Sequence, residues 1–191
     1  IPIPTLEDLK NPLDEVIEPR ATQEEMTNFI ETELTESLKG LPTRTTQFGR
    51  FDKGLAYTIL MKYYMHEKNW AKAEECGREL LKAEYGYGLM DRYADIFTLE
   101  NEGNKEIIFA CTEERGTNLQ LWHDHALPGN YPTKNASIQK WDGYKVPWPF
   151  YRTFEEGDDR LSVLVGEYVG TDGVLFNEES DIAKHGNLYS G

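Results

Sequence analysis

The run Trp122-His123-Asp124-His125 sets two imidazoles two residues apart with a carboxylate between them. On a strand both rings point to one side, where a metal could use them. A structural metal site, however, asks for four ligands at recognisable spacing, and the other histidines, His66 and His185, lie far off in sequence. The pair therefore reads as surface or hydrogen-bonded histidines, and no metal is expected. The stretch FEEGDD, residues 154–159, offers Glu155, Glu156, Asp158 and Asp159. Glycosidase chemistry needs two carboxyl groups about 5–10 Å apart across a sugar, which adjacency in sequence does not supply. A helix end capped by Gly157, with Arg160 pairing nearby, accounts for the same residues. Residues 171–181, TDGVLFNEESD, match a calcium loop in composition but lack EF-hand spacing. There is no phosphate-cradling glycine loop, Gly-x-Ser-x-Gly elbow or Cys-x-x-Cys pair. No nucleophile–base or acid–base arrangement is legible, so no catalytic residue, cofactor or enzyme activity is expected.

Aromatic residues are the other chemistry on offer. From Gly116 to Pro149 the chain has little periodicity but much Gly, Pro, Asn and aromatic residue. A segment this long without regular structure is functional or disordered, and Trp122, Tyr131, Trp141 and Trp148 argue for order. Aromatic faces stack on the apolar faces of sugar rings, while Asn, Gln, Asp and Arg bond the hydroxyls. The same rings could instead be buried simply to hold the loop down. Trp122, Tyr131, Trp141 and Tyr144 are the candidate ligand-binding residues, on their chemistry and their place after a helix pair.

Bulk properties narrow the partners. The chain has 191 residues, 12% of them aromatic, and a formal charge of −14. Such acidity opposes binding to nucleic-acid phosphates or to an anionic membrane surface, and leaves neutral ligands such as sugars permitted. Cys76 and Cys111 form no ligand spacing or disulfide framework and read as two buried free thiols. No stretch approaches the roughly 20 apolar residues of a membrane span. The opening residues are rich in proline, lack a signal peptide and do not begin with Met. They read as an extended lead-in within something longer.

The elements that must position these residues are helical at first. Thr22 with Glu25 has capping-box spacing, and Met26, Phe29, Ile30, Leu34 and Leu38 then share a broad face until Gly40-Leu41-Pro42 stops the helix. A second helix is predicted over 50–66, with apolar residues on more than one side. After a break at His66–Asn69, Asn69 caps a third helix whose Trp70, Ala73, Gly77, Leu80 and Leu81 share a face. Ala73 and Gly77 let the preceding helix approach closely, and Trp70 reads as a wedge at the turn. Residues 50–83 thus form one hairpin of tetratricopeptide-repeat size. Beyond it, RYADIFTLE reads as a short helical turn and KEIIFACTEE as a buried strand. PWPFYRTFEEGD reads as a short helix with Pro149 near its first turn, and the tail ends without a convincing element. The fold class expected is mainly α: tetratricopeptide-like hairpins, an irregular loop-rich lobe and a few short strands. By region this gives a lead-in over 1–20, a helical part over 21–90 and a loop-rich, ligand-binding part over 91–191.

The order of these elements resembles the SusD/RagB family. The pattern is carried by Arg20, Thr22, Glu24 and Glu25; by Leu41-Pro42; by Gly49-Arg50 and Ala56. It continues through Trp70 and Ala73, Tyr87 and Leu89, Tyr93 and Phe97, and Glu106-Ile107-Ile108-Phe109. Phe154, Asp158 and Arg160 match the family's Phe-x-x-x-Asp-x-Arg segment, so the resemblance covers roughly residues 18–160. It implies a non-catalytic lipoprotein on the outer-membrane surface of Bacteroidetes-type bacteria. Such a protein captures oligosaccharides or polysaccharides and delivers them to a SusC-like TonB-dependent transporter, with membrane association only through a lipid anchor. Relatives that capture peptides, or a helical-repeat scaffold that contacts only a protein partner, are the alternative readings. The chain resembles the middle of such a protein, so exposed apolar helix surface is expected. Ligand contacts in the family follow no motif, so none is carried over.

Overall fold

The computed structural model describes residues 2–3, 5–10, 19–113, 122–134 and 137–185, with Leu9, Trp122 and His123 described by their backbone alone. The chain forms two compact units. One comprises Ile1–Leu89 with Lys105–Cys111, and the other Met90–Asn104 with Thr112–Gly191.

The first unit is built on helices that follow one another along the chain. A short helix α1, Leu6–Lys10, lies in the stretch expected to be extended. Helix α2, Gln23–Gly40, starts as its sequence requires: Glu25 N donates to Thr22 Oγ1 at 3.2 Å and Thr22 N to Glu25 Oε2 at 2.8 Å. Leu41, extended ahead of Pro42, ends it. Helix α3, Lys53–His66, begins later than the predicted residue 50, because the buried Asp52 is its cap and accepts from Leu55 N at 3.0 Å. Helix α4, Trp70–Leu80, returns antiparallel with Asn69 as its cap. Leu60 and Tyr64 of α3 pack with Ala73 and Cys76 of α4, and Leu34 and Leu38 of α2 close over them. Polar bonds tie α2 to the hairpin, Gln23 Nε2 donating to Glu67 Oε1 at 3.2 Å among them. Tyr63 Oη donates to Thr27 Oγ1 at 2.7 Å, and Lys72 Nζ to Glu31 Oε2 at 2.9 Å.

Two expectations for this unit are corrected. Trp70 is 63% exposed and is no wedge, because α4 turns Ala73, Cys76 and Leu80 inward and leaves Trp70 and Leu81 outside. Gly77 still permits close approach: a Cβ there would sit 3.4 Å from Met61 Sδ. Residues 105–113 are not a strand. Ile107–Ala110 are half-buried without regular pairing, and Phe109 packs against Phe51 at 5.7 Å. The run packs its side chains, but among the described residues no segment pairs with its backbone, so no ladder forms there. Cys76 is buried, which pushes its thiol pKa up, but Cys111 is exposed.

The small-residue argument applies most sharply at Gly54, early in α3. A Cβ there would approach Tyr87 Cζ to 2.8 Å and Cε2 to 3.0 Å, with the hydroxyl nearer still. That phenol oxygen is buried without a hydrogen-bond partner among the described residues. The ring stacks on the fully buried Tyr85 at 6.0 Å and lies under the Arg44 guanidinium, so it cannot swing aside freely. Gly54→Ala gains about 1 kcal/mol of helix propensity but costs about 1–3 kcal/mol in overpacking. The variant is expected to be net less stable in urea unfolding. A stabilised variant would mean that Tyr87 yields without cost.

The second unit is irregular, as its composition predicts. Its helices are α5, Trp122–Ala126, α6, Trp148–Tyr151, and α7, Glu178–His185, with 3₁₀ turns at Tyr93–Phe97, Leu99–Asn101 and Asp159–Val163. Strands β1, Tyr168–Val169, and β2, Leu175–Phe176, pair antiparallel with Tyr168 opposite Phe176. Pro149 sits in the first turn of α6, as read from sequence. Gly157, by contrast, caps no helix, because α6 ends at Tyr151. It takes φ +87° in a separate turn, and Arg160 does pair with Asp158. The tail does have a final element, α7. Asn177 Oδ1 accepts from Ser180 N at 3.0 Å, acidic residues fill the first turn, and Lys184 and His185 the last. The protein is thus mainly α, with one helical hairpin, a loop-rich part and a two-stranded ribbon.

Candidate ligand-binding site

Helix α5 is short, so most of its carbonyls lack partners within it. The segment 141–144 folds across its C-terminal end and supplies them. Trp141 N donates to Asp124 O at 2.6 Å, Asp142 N to Leu127 O at 3.1 Å, and Gly143 and Tyr144 N to His125 O at 2.7 and 2.9 Å. Asp142 adopts φ +56°, a left-handed conformation that Asp tolerates better than most residues. A Cβ at Gly143 would lie 3.3 Å from His125 O, closer than nearly all such contacts. This clamp places the Trp141 and Tyr144 rings on the same imidazole. Trp141 meets His125 edge-on at 4.7 Å and Tyr144 meets it tilted at 5.3 Å. Trp141 is 46% and Tyr144 52% exposed. Gln139 Oε1 accepts from Trp141 Nε1 at 3.0 Å, fixing the indole and bringing an amide alongside it. Two fixed, half-open rings with amide, carboxylate and ammonium groups close in sequence can stack on a ring and bond its hydroxyls.

Behind this face lies a line of aromatic rings. Tyr151 packs edge-on to Trp148 at 5.4 Å, Trp148 stacks on Phe176 at 6.4 Å, Phe176 on Tyr168 at 4.9 Å, and Tyr168 meets Tyr131 at 5.0 Å. Tyr131 is half-buried in this line rather than standing beside Trp141 and Tyr144. Tyr168 Oη donates to Asn130 Oδ1 at 2.8 Å. Burial first, then the charges of Asp142, Asp172 and Asp181, push its pKa up and keep it a donor. At the other end Trp148, 3% exposed, donates from Nε1 to Asp181 Oδ2 at 2.7 Å. Arg152 Nε, at the C-cap of α6, donates to Glu178 Oε1 at 2.6 Å and adds a second link to α7.

Asp181 is 2% exposed, and its second oxygen lies 2.9 Å from His185 Nδ1. Burial acts to raise its pKa, but the bonds to Trp148 and His185 outweigh it and hold the carboxyl below its ordinary value of 3.8. The folded chain therefore takes up this proton less readily than the unfolded one. The stabilisation is complete above about pH 4 and is lost as the pH falls through the folded-state value. Unfolding measured from about pH 6 to about pH 2 should show this loss, and Asp181→Asn should remove that component. An unaltered acid dependence in Asp181→Asn would assign it to other carboxyls.

Between the exposed face and the aromatic line lies a cleft of about 350 Å³, within the usual range of small-ligand sites. Leu127, Val146, Tyr144, Trp148, Leu164 and Val165 are among its walls. Of the candidates read from sequence, Trp141 and Tyr144 come together, Tyr131 stands in the supporting line, and the Trp122 side chain lies outside the described residues. His125, which the sequence offers as a surface or hydrogen-bonded histidine, is the ring between the two exposed ones. The strand geometry considered for the His123–His125 pair is not adopted, since the backbone of residues 122–126 is helical. Among the described residues no group of three or more His, Cys, Asp or Glu side chains could hold a metal.

These features define a mainly helical, loop-rich protein with an open aromatic face. Among solved structures, it is similar to a SusD-like protein from Bacteroides fragilis, at 24% identity and a TM-score of 0.53, over 66% of this chain. The chain spans 24% of the length of that structure. No family model matches the sequence, and no curated protein does. The likeness is one of fold. Among the described residues no helix is long and apolar enough to cross a membrane.

Proposed function

We propose that this chain serves in non-catalytic glycan capture at the cell surface, delivering oligosaccharides to a SusC-like TonB-dependent transporter of the outer membrane. A lipid anchor holds such a protein to that membrane. The observation that carries the reading is the pair Trp141 and Tyr144, held half-exposed on His125 by a loop whose 141–144 N–H groups bond carbonyls of residues 124–127. Rings fixed in this way lose little entropy on binding, which favours stacking on a sugar. The acidity of the chain suits a neutral ligand, and the SusD-like fold agrees with the role. A second reading has its own support: Phe29, Ile59, Met65 and Trp70 are exposed on α2–α4, as on a helical scaffold that binds a protein partner. Titration with oligosaccharide and oligopeptide sets separates the readings. Saturable saccharide binding is expected; binding of peptides alone, or of neither, would reject glycan capture.

A further inference from the structure

We propose that the cleft beside Tyr144 receives an aryl or short acyl substituent carried by the bound glycan, so that the site prefers substituted over bare oligosaccharides. This rests on the sugar-binding reading above and deepens it. Tyr144 belongs to both features: one contact of its ring is with His125 in the open face, and it also lines the cleft. A ligand seated on Trp141 and Tyr144 thus has the cleft as its immediate neighbour. The cleft cannot take another sugar well. Ala126, Leu127, Pro128, Val146, Leu164 and Val165 give it apolar walls. Three of its polar lining groups already have partners: Lys145 Nζ lies 3.1 Å from the Asp142 carboxylate, Trp148 Nε1 donates to Asp181, and Tyr168 Oη to Asn130. The several hydroxyls of a sugar buried there would lose more water than the few free polar groups of the lining could replace. An apolar group loses nothing by entry and removes from water Val163 and Val165, which are 40% and 47% exposed at the cleft. Size agrees as well. A cavity of about 150 Å³ suffices for a benzene ring, so about 350 Å³ holds a ring with a short linker.

The test compares 4-nitrophenyl glycosides with methyl glycosides of the same sugars, on the full chain, by calorimetric titration. The 4-nitrophenyl forms should bind on the order of tenfold tighter or better, as burial of one ring implies. Val165→Glu puts a charge on the cleft wall at a half-exposed position, where folding should tolerate it. It should abolish the gain while leaving methyl glycoside affinity unchanged, and Val163→Glu checks the result independently. Equal affinity for both forms, including none for either, would overturn the proposal, as would a gain that survives both variants. Methyl glycosides that bind without any aryl gain remove the cleft proposal and leave the sugar face standing. Aryl binding that is lost in Val165→Glu, with no methyl glycoside bound, supports the cleft and removes the sugar face.

Discussion

Trp148→Ala should destabilise the second unit by about 3–5 kcal/mol, the cost typical of deleting a buried tryptophan. The ring is 3% exposed and touches α6, β2 and α7 together, through Tyr151, Phe176 and Asp181. Alanine removes all three contacts and leaves Asp181 with one of its two described side-chain partners gone. A whole domain is stable by only about 5–15 kcal/mol, so the loss is a large part of the total. Trp148→Phe separates the two contributions. It keeps a ring but removes the N–H, and should cost about 1–3 kcal/mol for the buried acceptor left unsatisfied. Near-UV circular dichroism and urea unfolding report both effects. A change below about 1 kcal/mol for Trp148→Ala would mean that the line of rings is not what holds this unit together.

Trp141→Ala should do the opposite: leave folding nearly intact and weaken glycan binding strongly. The indole is 46% exposed, and the 141–144 clamp is made by backbone N–H groups that alanine retains. Stability should therefore shift by about 0.5 kcal/mol or less. Binding should weaken by about 2 kcal/mol, or roughly thirtyfold, as expected when an aromatic anchor is truncated. Tyr144→Ala should weaken sugar binding as well, since both rings flank His125. Loss of fold with loss of binding would instead make Trp141 a packing residue.

Local chemistry explains what could be read in advance. The Thr22–Glu25 box, the Leu41-Pro42 stop, Asn69 and Pro149 each act over a few residues, and each occurs where its spacing requires. Where two answers share one pattern, the sequence is silent. The apolar residues of α4 permit either Trp70 or Cys76 inside, and only the docking of α3 selects Cys76. The run Ile107–Ala110 is apolar enough for a strand, but a strand also needs a partner that no local pattern reveals. The signal for α7 was present in Asn177, Ser180 and the flanking charges, and was obscured by its likeness to a cation loop. In the site, aromatic composition picked out Trp141 and Tyr144. Their meeting over His125 depends on a left-handed Asp142 and on carbonyls 15–19 residues back along the chain, from Asp142 N to Leu127 O up to Tyr144 N to His125 O. Trp148 was legible as an anchor, but its partner Asp181 lies 33 residues away.

Glycan capture on the Trp141–His125–Tyr144 face is the central claim, and a matched pair of tryptophan variants tests it most directly. Trp70 is 63% exposed, in the first unit, and serves as the control for loss of an exposed indole. The native chain, Trp141→Ala and Trp70→Ala would each be titrated calorimetrically with the oligosaccharides that bind best on a glycan array. Saturable binding is expected, preserved in Trp70→Ala and lowered about thirtyfold in Trp141→Ala. Equal affinity in Trp141→Ala and the native chain, or no saccharide bound by the native chain, would contradict it.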